Sequence, residues 1–267
     1  MNLFAGPIDA IKREAAEFLW RLPRNPASAT PLKDARERIL TDGFCVIPGF
    51  VDSHTVDTLA AKAENLYRTH GEYVALESND ADKRIYGVEQ LAPEFGLESQ
   101  LQWVDALSRT FYWTENVVWF QMLGKISCGE KNLGSGSGWH RDSPFSHQFK
   151  AILYLTDVDL ENGPFQYICG THTKHSLVQV CKHLKLPGGS YRFSAEQIER
   201  LEHAGIVPRA TCVTGNKGTL LLADSRGLHR GKPLVARERL AVTRYYFTRR
   251  IPSDFTSRYA LTKRRQQ

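Results

Sequence analysis

A mainly β fold of the jelly-roll or cupin class, with α-helices supporting its core, is predicted by three features of this sequence. Residues 1–114 carry mostly helical periodicity, and from Glu115 onward the pattern changes to short segments rich in aromatic and branched residues. Turn signals separate those segments, notably Glu161-Asn162-Gly163-Pro164 and Gly215-Asn216-Lys217-Gly218. Antiparallel-type strands behind a helical half, with no internal repeat, imply a double-sheet core within one domain covering residues 1–267.

The helical half reads in order. Ile8, Ile11, Phe18, Leu19 and Leu22 recur at helical spacing over Ile8 to Leu22, and Pro23 stops that helix. Arg24 to Pro31 is a linker, and a short amphipathic helix covers Lys33 to Thr41. Gly43-Phe44-Cys45-Val46-Ile47 reads as a buried strand ended by Pro48-Gly49. Asp52 or Ser53 then caps a helix to about His70, with Gly71 as its stop. Glu77 to Phe95 has no clear period and reads as a loop over the site, followed by a helix from Glu98 to Thr114.

The β half, residues 115–250, begins with Asn116 to Cys128. This stretch alternates, with Val118, Phe120 and Met122 on one side and Trp119, Gln121, Leu123 and Lys125 on the other. Further strands are expected at Gln148 to Thr156, Phe165 to Cys169, Gly218 to Ala223 and Leu240 to Thr248. Between them, residues 171–214 form an insertion whose Ser194-Ala195-Glu196-Gln197 is a capping-box start for a helix closing near Gly205. It is expected to be an ordered cover over the mouth of the core, and its Lys174, His175, Lys182, His183, Lys185 and Arg192 concentrate positive charge there.

Composition narrows the class. With 42% hydrophobic and 24% charged residues the chain is an ordinary globular sequence. Thirty-five Lys plus Arg against 29 Asp plus Glu give a net charge of +6, which mildly favours anionic partners. The basic run Lys263-Arg264-Arg265 reads as a solvated terminus, so no nucleic-acid partner is expected. Met1 to Leu22 lacks the pattern of a secretory signal, and no stretch of about 18 apolar residues reads as a membrane span. Five cysteines (Cys45, Cys128, Cys169, Cys181, Cys212) include no C-x-x-C pair, so neither a disulfide framework nor a zinc knuckle is expected, and a reducing cytoplasm suits them. Cys128 and Cys169 fall in predicted strands and are expected to be buried.

The chemistry gathers around Trp139-His140-Arg141-Asp142, which follows a loop of glycines and serines running from Asn132 to Gly138. Two residues apart on an extended segment, His140 and Asp142 point the same way with Cα atoms roughly 6.5 Å apart. An imidazole and a carboxylate are two-thirds of the facial triad that holds iron(II) and leaves three positions open. His229, in a polar glycine-containing loop just past the strand 218–223, qualifies as the third ligand. Ten residues on, Arg239 begins a strand from which a guanidinium can grip a distal carboxylate through two parallel hydrogen bonds. His147, His172 and His175 read as surface or supporting residues rather than ligands.

These residues resemble the phytanoyl-CoA dioxygenase family of iron(II)- and 2-oxoglutarate-dependent oxygenases, from about Asp42 to Thr248. The likeness is carried by Asp42 to Phe50 as the opening strand and by Trp139-His140-Arg141-Asp142 as the first metal motif. Asn162-Gly163-Pro164 with Gly170-Thr171-His172, then His229 and Arg239, continue it. The resemblance implies a double-stranded β-helix with Fe(II) on His140, Asp142 and His229. It further implies 2-oxoglutarate held at its far carboxylate by Arg239, and O2 consumed as 2-oxoglutarate becomes succinate and CO2 and a second substrate is oxidised. Asp142 departs from the small residue that halogenating relatives carry, so hydroxylation or a related oxidation is expected. Arg230-Gly231-Lys232 lacks the small hydroxyl residue many members have after the second histidine. Gln121 and Lys125, on one face of their strand, are candidates for the chelating end of 2-oxoglutarate. The substrate is expected to be a small organic molecule, with anionic, lipid-, sugar- and natural-product-like character all open. Two rivals remain: a cupin-like metal enzyme without 2-oxoglutarate, and a non-catalytic jelly-roll binding protein.

Overall fold

The computed structural model describes residues 31–77, 81–129, 133–143 and 148–259. The predicted helix at 8–22, the linker to residue 30, Asn132, His147 and the basic run at 263–265 lie outside the described residues. The leading elements are α1 (Pro31–Thr41), β1 (Phe44–Ile47), α2 (Ser53–Thr69), β2 (Ala75–Leu76), β3 (Asp82–Tyr86), α3 (Val88–Leu91) and α4 (Glu98–Tyr112). There follow β4 (Val117–Ser127), β5 (Trp139–His140), β6 (Phe149–Tyr154) and β7 (Phe165–Tyr167). The insertion contains α5 (Lys174–Leu184), β8 (Arg192–Phe193), α6 (Ala195–His203) and β9 (Thr211–Val213). Last come β10 (Leu220–Asp224), β11 (His229–Gly231), β12 (Glu238–Thr248) and α7 (Ser253–Thr256).

The strands form a seven-stranded sheet, β1-β10-β6-β12-β4-β3-β2, and a five-stranded sheet, β8-β5-β11-β7-β9. Phe165, Tyr167 and Val213 of the smaller sheet pack on Leu221 and Ala223 of the larger, so the two lie face to face without closing into a barrel. This is the double-stranded β-helix architecture. Parity assigns each residue of a strand to a face. On β12, Arg239, Ala241, Thr243, Tyr245 and Phe247 line the space between the sheets, while Leu240, Val242 and Tyr246 join the core formed with α1, α2 and α4.

Local signals account for the helix boundaries. Asp52 caps α2 by accepting from the Thr55 N–H at 2.9 Å and the Thr55 hydroxyl at 2.7 Å. Ser194 and Gln197 make both bonds of a capping box at the start of α6. Three expectations change. Within the stretch 77–95, expected to be a loop, residues 81–95 supply β3, which extends the large sheet and turns Asp82, Arg84 and Tyr86 toward the cavity. The insertion does not overhang the mouth with its helices; Val180, Leu184, Ile198 and Leu201 pack on Trp139, Ile168 and Phe193, covering the outer face of the small sheet. Cys128 is exposed and Cys169 half-buried rather than both buried. Among the described residues no helix is long and apolar enough to cross a membrane.

Candidate metal centre and cavity

Strand register creates the centre. β11 pairs antiparallel with β5 so that His229 faces His140 directly, and the two rings sit 4.3 Å apart, centroid to centroid. Asp142 follows on the same chain and is anchored by its N–H donating to the Ser225 carbonyl at 3.0 Å. Its Oδ1 lies 3.5 Å from His140 Nε2 and its Oδ2 lies 3.7 Å from His229 Nε2. The three side chains offer ligand atoms that all lie within 4.8 Å of one another. The expected trio is thus brought together by pairing between two strands far apart in the chain.

The tautomers follow from the backbone. His140 Nδ1 bonds the Gly138 carbonyl at 2.8 Å and His229 Nδ1 bonds the Gly227 carbonyl at 2.9 Å. A carbonyl only accepts, so each Nδ1 carries the proton and each Nε2 presents a lone pair to the centre. His229 is 2% exposed and its Nε2 is buried with no hydrogen-bond partner. Burial, reinforced by the neighbouring His140, pushes its pKa down to about 3 and keeps the ring neutral. Burial also works against the Asp142 carboxylate, but the Lys150 ammonium outweighs it and holds the carboxyl well below the usual range. Lys150 grips Asp142 Oδ2 in an ion pair and lies 4.7 Å from the Tyr245 ring centroid. An orphaned imidazole nitrogen beside a second imidazole and an ionised carboxylate is a donor set that fits a divalent transition metal.

The glycine loop has a steric reason. Gly136 adopts φ +82° against the His140 ring, where a Cβ would collide with Cε1. Gly231 similarly leaves room for Ser135, whose carbonyl accepts from the Gly231 N–H at 2.9 Å. Ser135 and Gly231 both line the cavity, and a Cβ on Gly231 would stand 3.2 Å from Arg239 Nη2. Ser135, in the loop before His140, thus stands beside Gly231 of the tripeptide that follows His229.

A cavity of about 460 Å³ spans the gap between the sheets and includes all three residues of the centre. Arg239 lines it, buried; its Nη1 donates to the Gly163 carbonyl and it carries no ion pair among the described residues. Gln121 and Lys125 do not reach the cavity. They lie on the opposite parity of β4, where Gln121 Nε2 donates to the Phe95 carbonyl at 2.6 Å and Lys125 pairs with Glu64 at 2.8 Å and Glu238 at 3.0 Å. The cavity face of β4 instead presents Met122, Gly124 and Ile126. His172 is buried with Nε2 3.2 Å from the Leu40 carbonyl, away from the centre, and His175 lies on α5.

Sequence reasoning did not single out Lys150, Tyr191 or the β3 side chains, all of which line the cavity. A lone lysine in the otherwise apolar Phe149–Tyr154 is the signal for the first, since a buried charge needs a partner. The alternation Asp82, Arg84, Tyr86 is the signal for the last.

A family profile described as Phytanoyl-CoA dioxygenase (PhyH) matches residues 39–236. No curated protein matches the chain. Among solved structures, EctD from S. alaskensis with bound Fe superposes with a TM-score of 0.62 at 18% identity, over 86% of this chain and 81% of that one. The epimerase SnoN, in complex with Fe3+, alpha ketoglutarate and nogalamycin RO, gives 0.60 at 17% identity, over 81% and 83%. HygX from Streptomyces hygroscopicus with nickel and 2-oxoglutarate bound gives 0.57 at 18% identity, over 85% and 94%. At these identities the likeness establishes the shared fold.

Proposed function

The chain belongs to the phytanoyl-CoA dioxygenase family, and on that premise we propose that it is an iron(II)- and 2-oxoglutarate-dependent oxygenase whose metal is held by His140, Asp142 and His229. The observation that carries this reading is the buried, unpartnered Nε2 of His229 set against His140 Nε2 and the Asp142 carboxylate. Arg239, the buried guanidinium without a carboxylate partner, would take the far carboxylate of 2-oxoglutarate. A ferrous ion held there would supply open positions for 2-oxoglutarate and O2; O2 is the oxidant, taking two electrons from 2-oxoglutarate as it becomes succinate and CO2 and two from the substrate.

The protein's own part is placement. The Gly138 and Gly227 carbonyls fix both imidazoles with Nε2 forward. Lys150 engages Oδ2 of Asp142 and so orients and keeps ionised the carboxylate that would help to hold the metal. Met122, Ile152 and Phe165 line the cavity and keep water from the reacting region. Retention of an acidic ligand at 142 favours hydroxylation of a small organic substrate. SnoN, an epimerase on the same fold, is a reminder that the outcome depends on how the substrate is held.

Anaerobic titration with iron(II) and then 2-oxoglutarate tests the reading. The parent is expected to develop the weak visible charge-transfer band of the chelate, and His140→Ala to develop none. Arg239→Ala should lower 2-oxoglutarate affinity by about tenfold or more, as expected for loss of charge-assisted hydrogen bonds. Absence of the band in the parent would sink the proposal. An unchanged affinity in the variant would remove Arg239 from it.

A further inference from the structure

Six cationic side chains line the cavity among the described residues, and the partners of each can be followed. Arg84 grips Asp82 with two nitrogens, at 2.9 and 2.6 Å, and Arg258 is engaged by Glu77 and, at 2.8 Å, by the Tyr86 hydroxyl. Lys150 is paired with Asp142, and Arg239 is the candidate for 2-oxoglutarate. Arg141 is fully buried and donates to the Thr171 and Arg226 carbonyls. Among these six, Arg192 alone is exposed. Like Arg141 and Arg239 it meets no carboxylate among the described residues, and its Nη1 donates to two carbonyls of the glycine loop, Gly136 and Ser137.

Its position is fixed by register. β8 pairs antiparallel with β5 so that Arg192 stands directly opposite His140, as His229 does on the other side. Residues opposite one another across antiparallel strands share a face, with Cβ atoms about 4.5–5.5 Å apart. The small sheet therefore presents a row of guanidinium, imidazole and imidazole toward the cavity, the guanidinium at the sheet edge and exposed. We propose that Arg192 is the seat for an acidic group, a carboxylate or a phosphate monoester, on the substrate oxidised at the neighbouring metal.

The rest of the cavity specifies the remainder of that substrate. Tyr245, Phe247 and Phe255 line one wall as a cluster, with Phe255 centroids 5.7 Å from Tyr245 and 5.5 Å from Phe247, and offer an apolar, ring-accepting surface. Asp254, on the lining in α7, is exposed and carries no ion pair among the described residues, so it repels an anion and leaves Arg192 as the favourable end. The substrate class is a small organic acid with a ring or compact apolar body. The charge in the insertion thus acts through one residue, since Lys174, Lys182 and Lys185 do not line the cavity.

This inference rests on the metal and 2-oxoglutarate reading, and the test keeps the two apart. Protein loaded with Co(II) and saturated with 2-oxoglutarate is titrated with phenyl phosphate, benzoate or benzyl alcohol, and broadening of the probe's proton resonances by the cobalt is followed. At least one anion should bind saturably, about tenfold or more tighter than the neutral alcohol, and the stronger anion identifies the acid type. Arg192→Met should lower that anion's affinity by about tenfold or more while the alcohol changes less than about twofold, and Arg192→Lys should recover part of it. Arg192→Gln keeps a donor for the Gly136 and Ser137 carbonyls while removing the charge, so it must show the same loss if charge is the cause. Equal binding of anion and alcohol, binding of neither anion, or an anion affinity indifferent to Arg192→Gln overturns the inference with the metal reading intact. Failure of Co(II) or 2-oxoglutarate to bind overturns both.

Discussion

Arg239 and Arg244 stand five residues apart on one strand, an odd separation that turns them to opposite faces of the large sheet. Both are buried, at 7% and 0% exposure, yet their surroundings differ completely. Arg244 Nη1 meets both oxygens of Asp105, at 2.7 and 2.9 Å, its Nη2 reaches the Gly96 carbonyl, and its guanidinium lies 3.8 Å from the centroid of the Trp119 ring. Arg239 has one carbonyl and no carboxylate. Burial lowers its pKa, the mark of a cation held in a poor environment for its charge. A buried guanidinium that meets a carboxylate ties elements together, whereas one without a carboxylate among the described residues is prepared for an anion that arrives later.

The largest effect should come from breaking the engaged side. Arg244→Met removes the ion pair between β12 and α4 and leaves the Tyr246 hydroxyl as the partner of Asp105 among the described residues. Loss of one partner of a buried pair costs about 3–5 kcal/mol, which lowers the melting temperature by roughly 6–20 °C in a domain of this size. Calorimetry or thermal fluorescence measures this. A shift of only a degree or two would mean that the two arginines do not differ in the way described.

A smaller thermal effect and a large binding effect are expected on the other face. Arg239→Ala removes a cation that burial disfavours, so the metal-loaded protein without 2-oxoglutarate should melt within about 3 °C of the parent. Added 2-oxoglutarate at about a hundred times the parent's dissociation constant stabilises a binding-competent protein by about 2.7 kcal/mol. That upward shift should be present in the parent and mostly lost in the variant. Stabilisation of the variant equal to the parent's would place the carboxylate grip elsewhere in the cavity.

The contrast also explains what could be read from the chain alone. His140 and Asp142 are legible because two residues along an extended segment is a full pleat, which fixes a common direction without any tertiary knowledge. His229 was found through its loop and its place after a strand, but its position directly opposite His140 depends on the β5–β11 register, which no local pattern encodes. Gln121 and Lys125 were correctly assigned a common face, and that face is the wrong one for the cavity. β4 is buried on both sides, so alternation separates its faces without saying which meets the ligand. The face that meets the cavity carries Met122, Gly124 and Ile126. The five residues of β3 were too few for their alternation to stand out from a loop. Arg192 looked like one basic residue among several in the insertion, and only its pairing opposite His140 separates it from them.

The smallest effect is expected at Lys125, and it is the most discriminating. Its ammonium bridges Glu64 and Glu238 on the helix side of β4, but those carboxylates are about half-exposed and can turn to water when the lysine is gone. Lys125→Met should therefore cost no more than about 1 kcal/mol, a melting shift of at most roughly 4 °C. Because the side chain never reaches the cavity, 2-oxoglutarate affinity should stay within about twofold of the parent, well short of the tenfold that loss of a direct charged contact brings. A tenfold loss in this variant would mean that β4 turns its Lys125 face to the co-substrate. Paired in register across the two strands, β12 would then have to turn Arg244 inward and Arg239 outward, and the difference between the two arginines would be reversed.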